Sequence, residues 1–254
     1  MRRSTALIAI MLALGALILA PVAGARDQDQ QEQASTNIKR CQRIDQPGSY
    51  KLVDNLYATG DCLVITTEGV TIDLAGFAMT GDGTGTAIQG IQAPVGTIPQ
   101  LRTVVRNGDI SNFALAINLS GIVEGLRITS NRKGISVGVG IIRGNTVQFN
   151  ASVGIELADG IVTDNVVVAN QTGISVREAA VITGNAVQGN QIGIDVTGTG
   201  STLIGNVVGG NSTIGLRVSC PSNVTNNTAV GNGINLVLSN ATCRNEGNVA
   251  AQPP

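Results

Sequence analysis

The feature that most constrains this chain is a four-residue phrase that returns about every twenty residues. It reads GISV at 134–137, GIEL at 154–157, GISV at 173–176, GIDV at 193–196 and GLRV at 215–218. Its Ile or Leu is read at 117, 135, 155, 174, 194, 216 and 234, in steps of 18, 20, 19, 20, 22 and 18 residues. A second phrase, GNTVQFN, returns as DNVVVAN, GNAVQGN, GNVVGGN and NNTAVGN. Its first Asn falls at 145, 165, 185, 206 and 227, its last at 150, 170, 190, 211 and 232. A third apolar mark is read at Ile142, Val162, Ile182, Ile204 and Val224. Three phrases in fixed order at one period mean that one small structural unit is stacked on copies of itself.

Each phrase predicts a short strand. Alternation at GISV sends Ile135 and Val137 to one side and Ser136 to the other. The runs are too short and too β-branched for helices, and the Gly and Asn between them interrupt helices. Three strands joined by sharp turns make one coil of a solenoid, with successive coils pairing in parallel at about 4.8 Å. Ile stacks on Ile inside, and the turn asparagines stack as ladders, with Gly or Asn taking positive φ.

Such a core needs few aromatic residues, and the chain has only five: Tyr50, Tyr57, Phe77, Phe113 and Phe149. Histidine is absent, which excludes Ser-His-Asp and Cys-His catalysis and any imidazole base. The net charge of −1, with no basic block in the mature chain, argues against nucleic acid as a partner.

At the N-terminus, Arg2 and Arg3 precede an uncharged apolar run from Ala6 to Ala20, followed by Ala23-Gly24-Ala25. This is read as a secretory signal peptide over 1–25. A spanning helix needs about 20 apolar residues, and this run has 15, so no stable membrane insertion is expected after cleavage. Residues 26–40 are polar and Gln-rich and are read as a flexible linker. The folded domain is expected over 41–250, with 251–254 as a tail, secreted or held in the periplasm or at the cell surface.

With the repeat and the opening segment GSYKLVDNLYATGDCLVITTEGVTIDLAGFAMTG in view, residues 41 to about 250 resemble the pectate-lyase-like superfamily, secreted bacterial type. The resemblance implies an all-β, right-handed parallel β-helix with three short strands per coil and about nine coils. One such fold hosts many activities, so function rests on the site.

Four cysteines in an exported chain predict two disulfides. None is in a C-x-x-C pair, which weakens a metal reading. Cys41 to Cys62 and Cys220 to Cys243 are each about one coil apart, so these pairs are expected to tie neighbouring coils near the two ends.

Outward residues of one strand form a row, one per coil. The row at the centre of the repeated phrase is read as Asn118, Ser136, Glu156, Ser175, Asp195, Arg217 and Asn235. Two positions on lie Ala158, Arg177 and Thr197, with Asp159 and Glu178 beside them. Glu156, Arg177 and Asp195 are the candidate catalytic residues, and Asp159, Glu178 and Arg217 the candidate binding residues. Two coils at about 4.8 Å would separate Glu156 from Asp195 in the manner of inverting glycosidase carboxylates. Arg177 between them could act as a base or clamp an acidic sugar. Cross-strand ion pairs without chemistry explain the same residues more readily.

The resemblance gives little support to an enzyme. Polygalacturonase-like members carry adjacent aspartates and a Gly-His-Gly, and mannuronan epimerases of this fold an Asp-Pro-His-Asp; neither is present. Pectate lyases hold calcium with several aspartates, which Asp159, Glu178 and Asp195 echo loosely. Calcium is therefore the single cofactor kept open. TGDGTGT at 80–86 is read as a turn, QGIQAPVGTIPQ as an inserted loop, and Asp73 as a turn acceptor. Three functions follow: a binding module docking an extended polysaccharide along the charged face, a polysaccharide lyase, hydrolase or epimerase, and a structural or adhesive solenoid. The first is preferred.

Overall fold

The structure, a computed structural model, describes residues 35–94 and 102–250. The expected signal peptide, most of the expected linker, part of the expected inserted loop and the expected tail lie outside the described residues. Every regular element among the described residues is a strand, and every strand pairing is parallel. The first strand, Thr36–Ile38, pairs with Gly48–Leu52, so the solenoid starts inside the segment read as linker, five residues before the expected boundary at 41.

Three stacks of strands run along the solenoid. On the first, Gln42–Ile44, Leu63–Ile65 and Thr86–Gln89 are followed by the rungs that begin at Leu115, Lys133, Val153, Thr172, Ile192, Ile214 and Ile234. That makes ten rungs, close to the nine expected. Inside this stack Ile117, Ile135, Ile155, Ile174, Ile194, Leu216 and Leu236 are in register. The second stack contributes Val105, Val123, Ile142, Val162, Ile182, Leu203 and Val224. The third contributes Ile110, Ile128, Val147, Val167, Val187, Val208 and Ala229. All of these except Leu236 are buried. Each fully buried Val, Leu or Ile is worth about 1.5–3 kcal/mol relative to exposure.

Two sequence readings slip at this level. The inward residue of the second stack is Leu203, with Ile204 outside and 37% exposed. Two adjacent aliphatic residues give no polarity contrast from which to choose. In the last rung Ile214 pairs with Ile234 and Arg217 with Val237, so the row ends on Val237 and Asn235 is buried in another position.

The glycine of the repeated phrase explains that slip. A Cβ on Gly134 would come within 2.3 Å of the Gly154 carbonyl oxygen, one on Gly173 within 2.6 Å of Gly193, and one on Gly193 within 2.5 Å of Gly215. Only a glycine lets consecutive rungs approach so closely. Asn235 occupies the equivalent place in the last described rung, where no following carbonyl stands in its way.

Two asparagine ladders run the length of the repeat. In one, the backbone N–H of Asn145, Asn165, Asn185, Asn206 and Asn227 each donates to the side-chain oxygen of the next member, ending on Asn248, at 2.8–3.1 Å. In the other, Asn131 donates to Asn150, then Asn170, Asn190, Asn211 and Asn232 follow, at 2.8–3.0 Å. Asn235 closes the second by accepting from the Asn232 backbone at 3.0 Å. Positive φ falls on the residue before each asparagine, as at Gly144, Asp164, Gly184 and Gly205. Disulfides Cys41–Cys62 and Cys220–Cys243 join neighbouring turns near the two ends, as the spacing implied.

Candidate functional site

The outward row of the first stack places Asn118, Ser136, Glu156, Ser175, Asp195 and Arg217 on six consecutive rungs. Glu156 and Asp195 are two rungs apart, as their spacing required. They belong, however, to two separate charge clusters.

The first cluster is built on Glu156, which is only 8% exposed. One carboxylate oxygen pairs with Lys133 from the preceding rung and the other with Arg177 from the following one. The Ser136 hydroxyl donates to Oε2 at 3.0 Å. Burial pushes the Glu156 carboxyl up, but the hydrogen bonds and charges of Lys133, and then of Arg177, outweigh it and hold the group below its ordinary value. Gln92, Asn118, Ala158 and the backbone at Gly138 complete a groove of about 380 Å³ over this cluster. Gln92 comes from the inserted loop and donates to Asn118 Oδ1 at 2.7 Å. The neighbouring Ala93 N–H donates to Ser120 Oγ at 2.8 Å, so this part of the loop is pinned to the rungs. One carboxylate against two cations leaves the groove with a single net positive charge.

The second cluster is Asp195 and Arg217 on neighbouring rungs. Nε donates to Oδ1 at 2.7 Å and a terminal nitrogen to Oδ2 at 2.6 Å, a two-pronged contact that raises the Arg217 pKa. Arg177 turns towards Glu156 and forms no ion pair with Asp195, so it does not bridge the two carboxylates. Asp159 is half-buried and Glu178 exposed, and neither forms an ion pair among the described residues. The calcium set Asp159, Glu178 and Asp195 does not converge. No group of three or more His, Cys, Asp or Glu side chains among the described residues could hold a metal ion.

Lys133 was not legible as a site residue. Counted back from Ile135 by twos, it falls on the inner side, but the paired ladder skips Gly134 and the lysine reaches the outer face. Gln92 lay inside the inserted loop, which offered no reason to single it out. The other singled-out segments form turns. Asp82 in the Gly-rich turn accepts from the Thr84 N–H and hydroxyl at 2.9 and 2.6 Å, which lowers its pKa. Asp73 accepts from the Ala75 N–H at 2.8 Å, the turn role expected of it, and also pairs with Arg106.

No protein family and no curated protein matches the sequence. Solved structures match in shape. The A-module of the Azotobacter vinelandii mannuronan C-5 epimerase AlgE4 has a TM-score of 0.52 at 16% identity, over 76% of this chain and 72% of that one. A mutant form of the periplasmic alginate epimerase AlgG gives 0.51 at 15%, over 77% and 63%. The Dettilon tailspike protein gives 0.50 at 12%, over 84% and 53%. This chain thus spans less than two thirds of the second and third. At these identities the likeness is one of fold, and the fold is a right-handed parallel β-helix.

Proposed function

We propose that this protein is a polysaccharide-associated binding module that holds an extended polymer along the first strand stack, over the Glu156 cluster. The observation that carries the reading is the groove itself. Lys133 and Arg177 leave one positive charge uncompensated, beside the Ser136 hydroxyl and the amides of Gln92 and Asn118. Such a set can donate to sugar hydroxyls and attract a sugar carboxylate. The fold it shares with two alginate or mannuronan epimerases supports a polysaccharide as the ligand. The two disulfides support a site of action outside a reducing cytoplasm.

Binding is favoured over hydrolysis by the state of the carboxylates. An inverting mechanism needs one carboxyl that keeps its proton near neutral pH. Glu156 is shifted the opposite way.

The test is binding of purified protein to alginate, polygalacturonate, xylan and dextran, with and without calcium, while following reducing ends and unsaturated uronides. The expected result is binding to at least one polymer without cleavage, weakened about tenfold by Arg177→Ala, the loss of one charge-assisted contact. Binding to none of the four sinks the proposal. Products whose release Arg177→Ala abolishes would replace it with the enzymatic reading.

A further inference from the structure

The corner that leads into the Glu156 rung carries an exception to the repeat. At the position before each asparagine of the second ladder the residues are Ser130, Phe149, Ala169, Gly189, Gly210 and Gly231. All have positive φ, between 56° and 66°. Five are glycine or small. Phe149 is a bulky side chain in the left-handed region, at φ 56°, and it is 59% exposed. An aromatic residue there is strained by its backbone and is not compensated by burial. Ser130 and Ala169 share that backbone region, but of the six only Phe149 sets a bulky apolar ring there in solvent, which points to a role outside folding.

Its surroundings give the chemistry. On the same corner the Ser152 N–H donates to the Arg132 carbonyl at 2.8 Å, Gln171 to Ser152 at 2.9 Å and Gln191 to Gln171 at 3.0 Å. Arg132, Gln171 and Gln191 are all exposed. Among the described residues their side chains form no ion pair or hydrogen bond. Gln171 and Gln191 lie on successive rungs about 4.8 Å apart, and Arg132 lies one rung before Ser152, whose rung follows Phe149 in the chain. A ring offers a flat apolar surface, and the amides and guanidinium offer in-plane donors.

We propose that this corner is a second saccharide-binding strip, in which Phe149 stacks on the C–H face of a pyranose ring and Arg132, Gln171 and Gln191 hydrogen-bond its hydroxyls. This rests on the polysaccharide reading and extends it to residues outside the charged groove. The strip selects sugars by ring shape and hydroxyls, so it serves neutral units as well as acidic ones.

The test joins stability to binding. Phe149→Gly is expected to keep the melting midpoint or raise it by up to about 4 °C, and to weaken binding to the retained polymer of the same panel about tenfold. The chain has no tryptophan, so Phe149→Trp supplies a single fluorophore at this corner. Its emission is expected to shift when that polymer binds. Gln171→Ala with Gln191→Ala is expected to weaken binding at an unchanged midpoint. If wild type binds while Phe149→Gly binds equally well and the Phe149→Trp emission stays fixed, the strip is wrong and the groove stands. A midpoint lowered by several degrees in Phe149→Gly overturns the strip by making Phe149 a packing residue. If wild type binds none of the four polymers, both proposals fall together.

Discussion

Glu156 and Lys133 form an ion pair across two neighbouring rungs in which the carboxylate is nearly buried and the ammonium half-buried. Arg177 approaches the same carboxylate from the other side. The folded protein therefore holds the Glu156 proton more weakly than the unfolded chain, whose group has the ordinary value of 4.5. A carboxyl depressed on folding adds stability above its unfolded pKa, and that stability is lost as pH falls through the folded value. Glu156→Gln is expected to be about 1–2 kcal/mol less stable than wild type at pH 7, a figure reduced for the exposure of Arg177. The gap should narrow as pH drops below 4.5. Urea midpoints at pH 7, 4 and 3 check it; a gap independent of pH would mean that packing, not charge, is lost.

The asparagine ladders make a second prediction. Asn185 accepts from the Asn165 N–H at 3.0 Å and donates to the Val162 carbonyl at 2.9 Å and to Asn206 Oδ1 at 3.0 Å, in a fully buried position. Asn185→Ala leaves several buried polar groups without partners and is expected to cost about 2–4 kcal/mol. Asn248→Ala removes the end of the same ladder, where the side chain is half-buried, and should cost less than half as much. Equal losses at the two positions, measured by urea unfolding, would show that the ladder acts as one unit rather than bond by bond.

Glycine and asparagine exchange roles between inner and last rungs, which gives a third prediction. Gly193→Ala drives a methyl to within 2.5 Å of the Gly215 carbonyl and is expected to destabilise by about 1–3 kcal/mol. Asn235→Gly introduces no clash. It removes the acceptor of the Asn232 N–H and side-chain amide, both at 3.0 Å, at an expected cost of about 1–2 kcal/mol. The two losses have different origins, and the double variant should be additive within about 0.5 kcal/mol, because the rungs are not adjacent.

The same exchange explains how far the sequence could be read. From Ile117 to Leu216 the period holds, so the strands, the outward row and the core of the first stack follow from spacing. At 233–234 the letters Gly-Ile repeat, but the register equivalent of Gly215 is Asn235, so matching by letters slides the register by two. Ile204 and Leu203 are both aliphatic, so polarity does not choose the inward one. The site was less legible than the fold. Which cation meets which carboxylate depends on where long side chains reach. Arg177 was placed between Glu156 and Asp195 by row position but turns to Glu156 alone, while Lys133 reaches the site across a break in alternation at Gly134. Asp159, Glu178 and Asp195 do not converge for the same reason, since three acids on one face need not meet.

The Cys220–Cys243 bridge supplies the last prediction. It closes a loop of 23 residues, worth about 3 kcal/mol in the chain-entropy picture. The rungs it ties are weak by themselves: Arg244–Glu246 is exposed throughout and Ile234 is 45% exposed. In a solenoid each rung contacts only its neighbours, so an end can open without the middle. Replacing Cys220 and Cys243 by serine is expected to strip hydrogen-exchange protection from amides of 234–238 while those of 172–176 keep theirs. The bridge then acts as a clasp against fraying, and binding at the Glu156 groove, four rungs away, is unchanged. Loss of protection along the whole chain would instead make the solenoid a single cooperative unit, in which the clasp and the binding face share one stability.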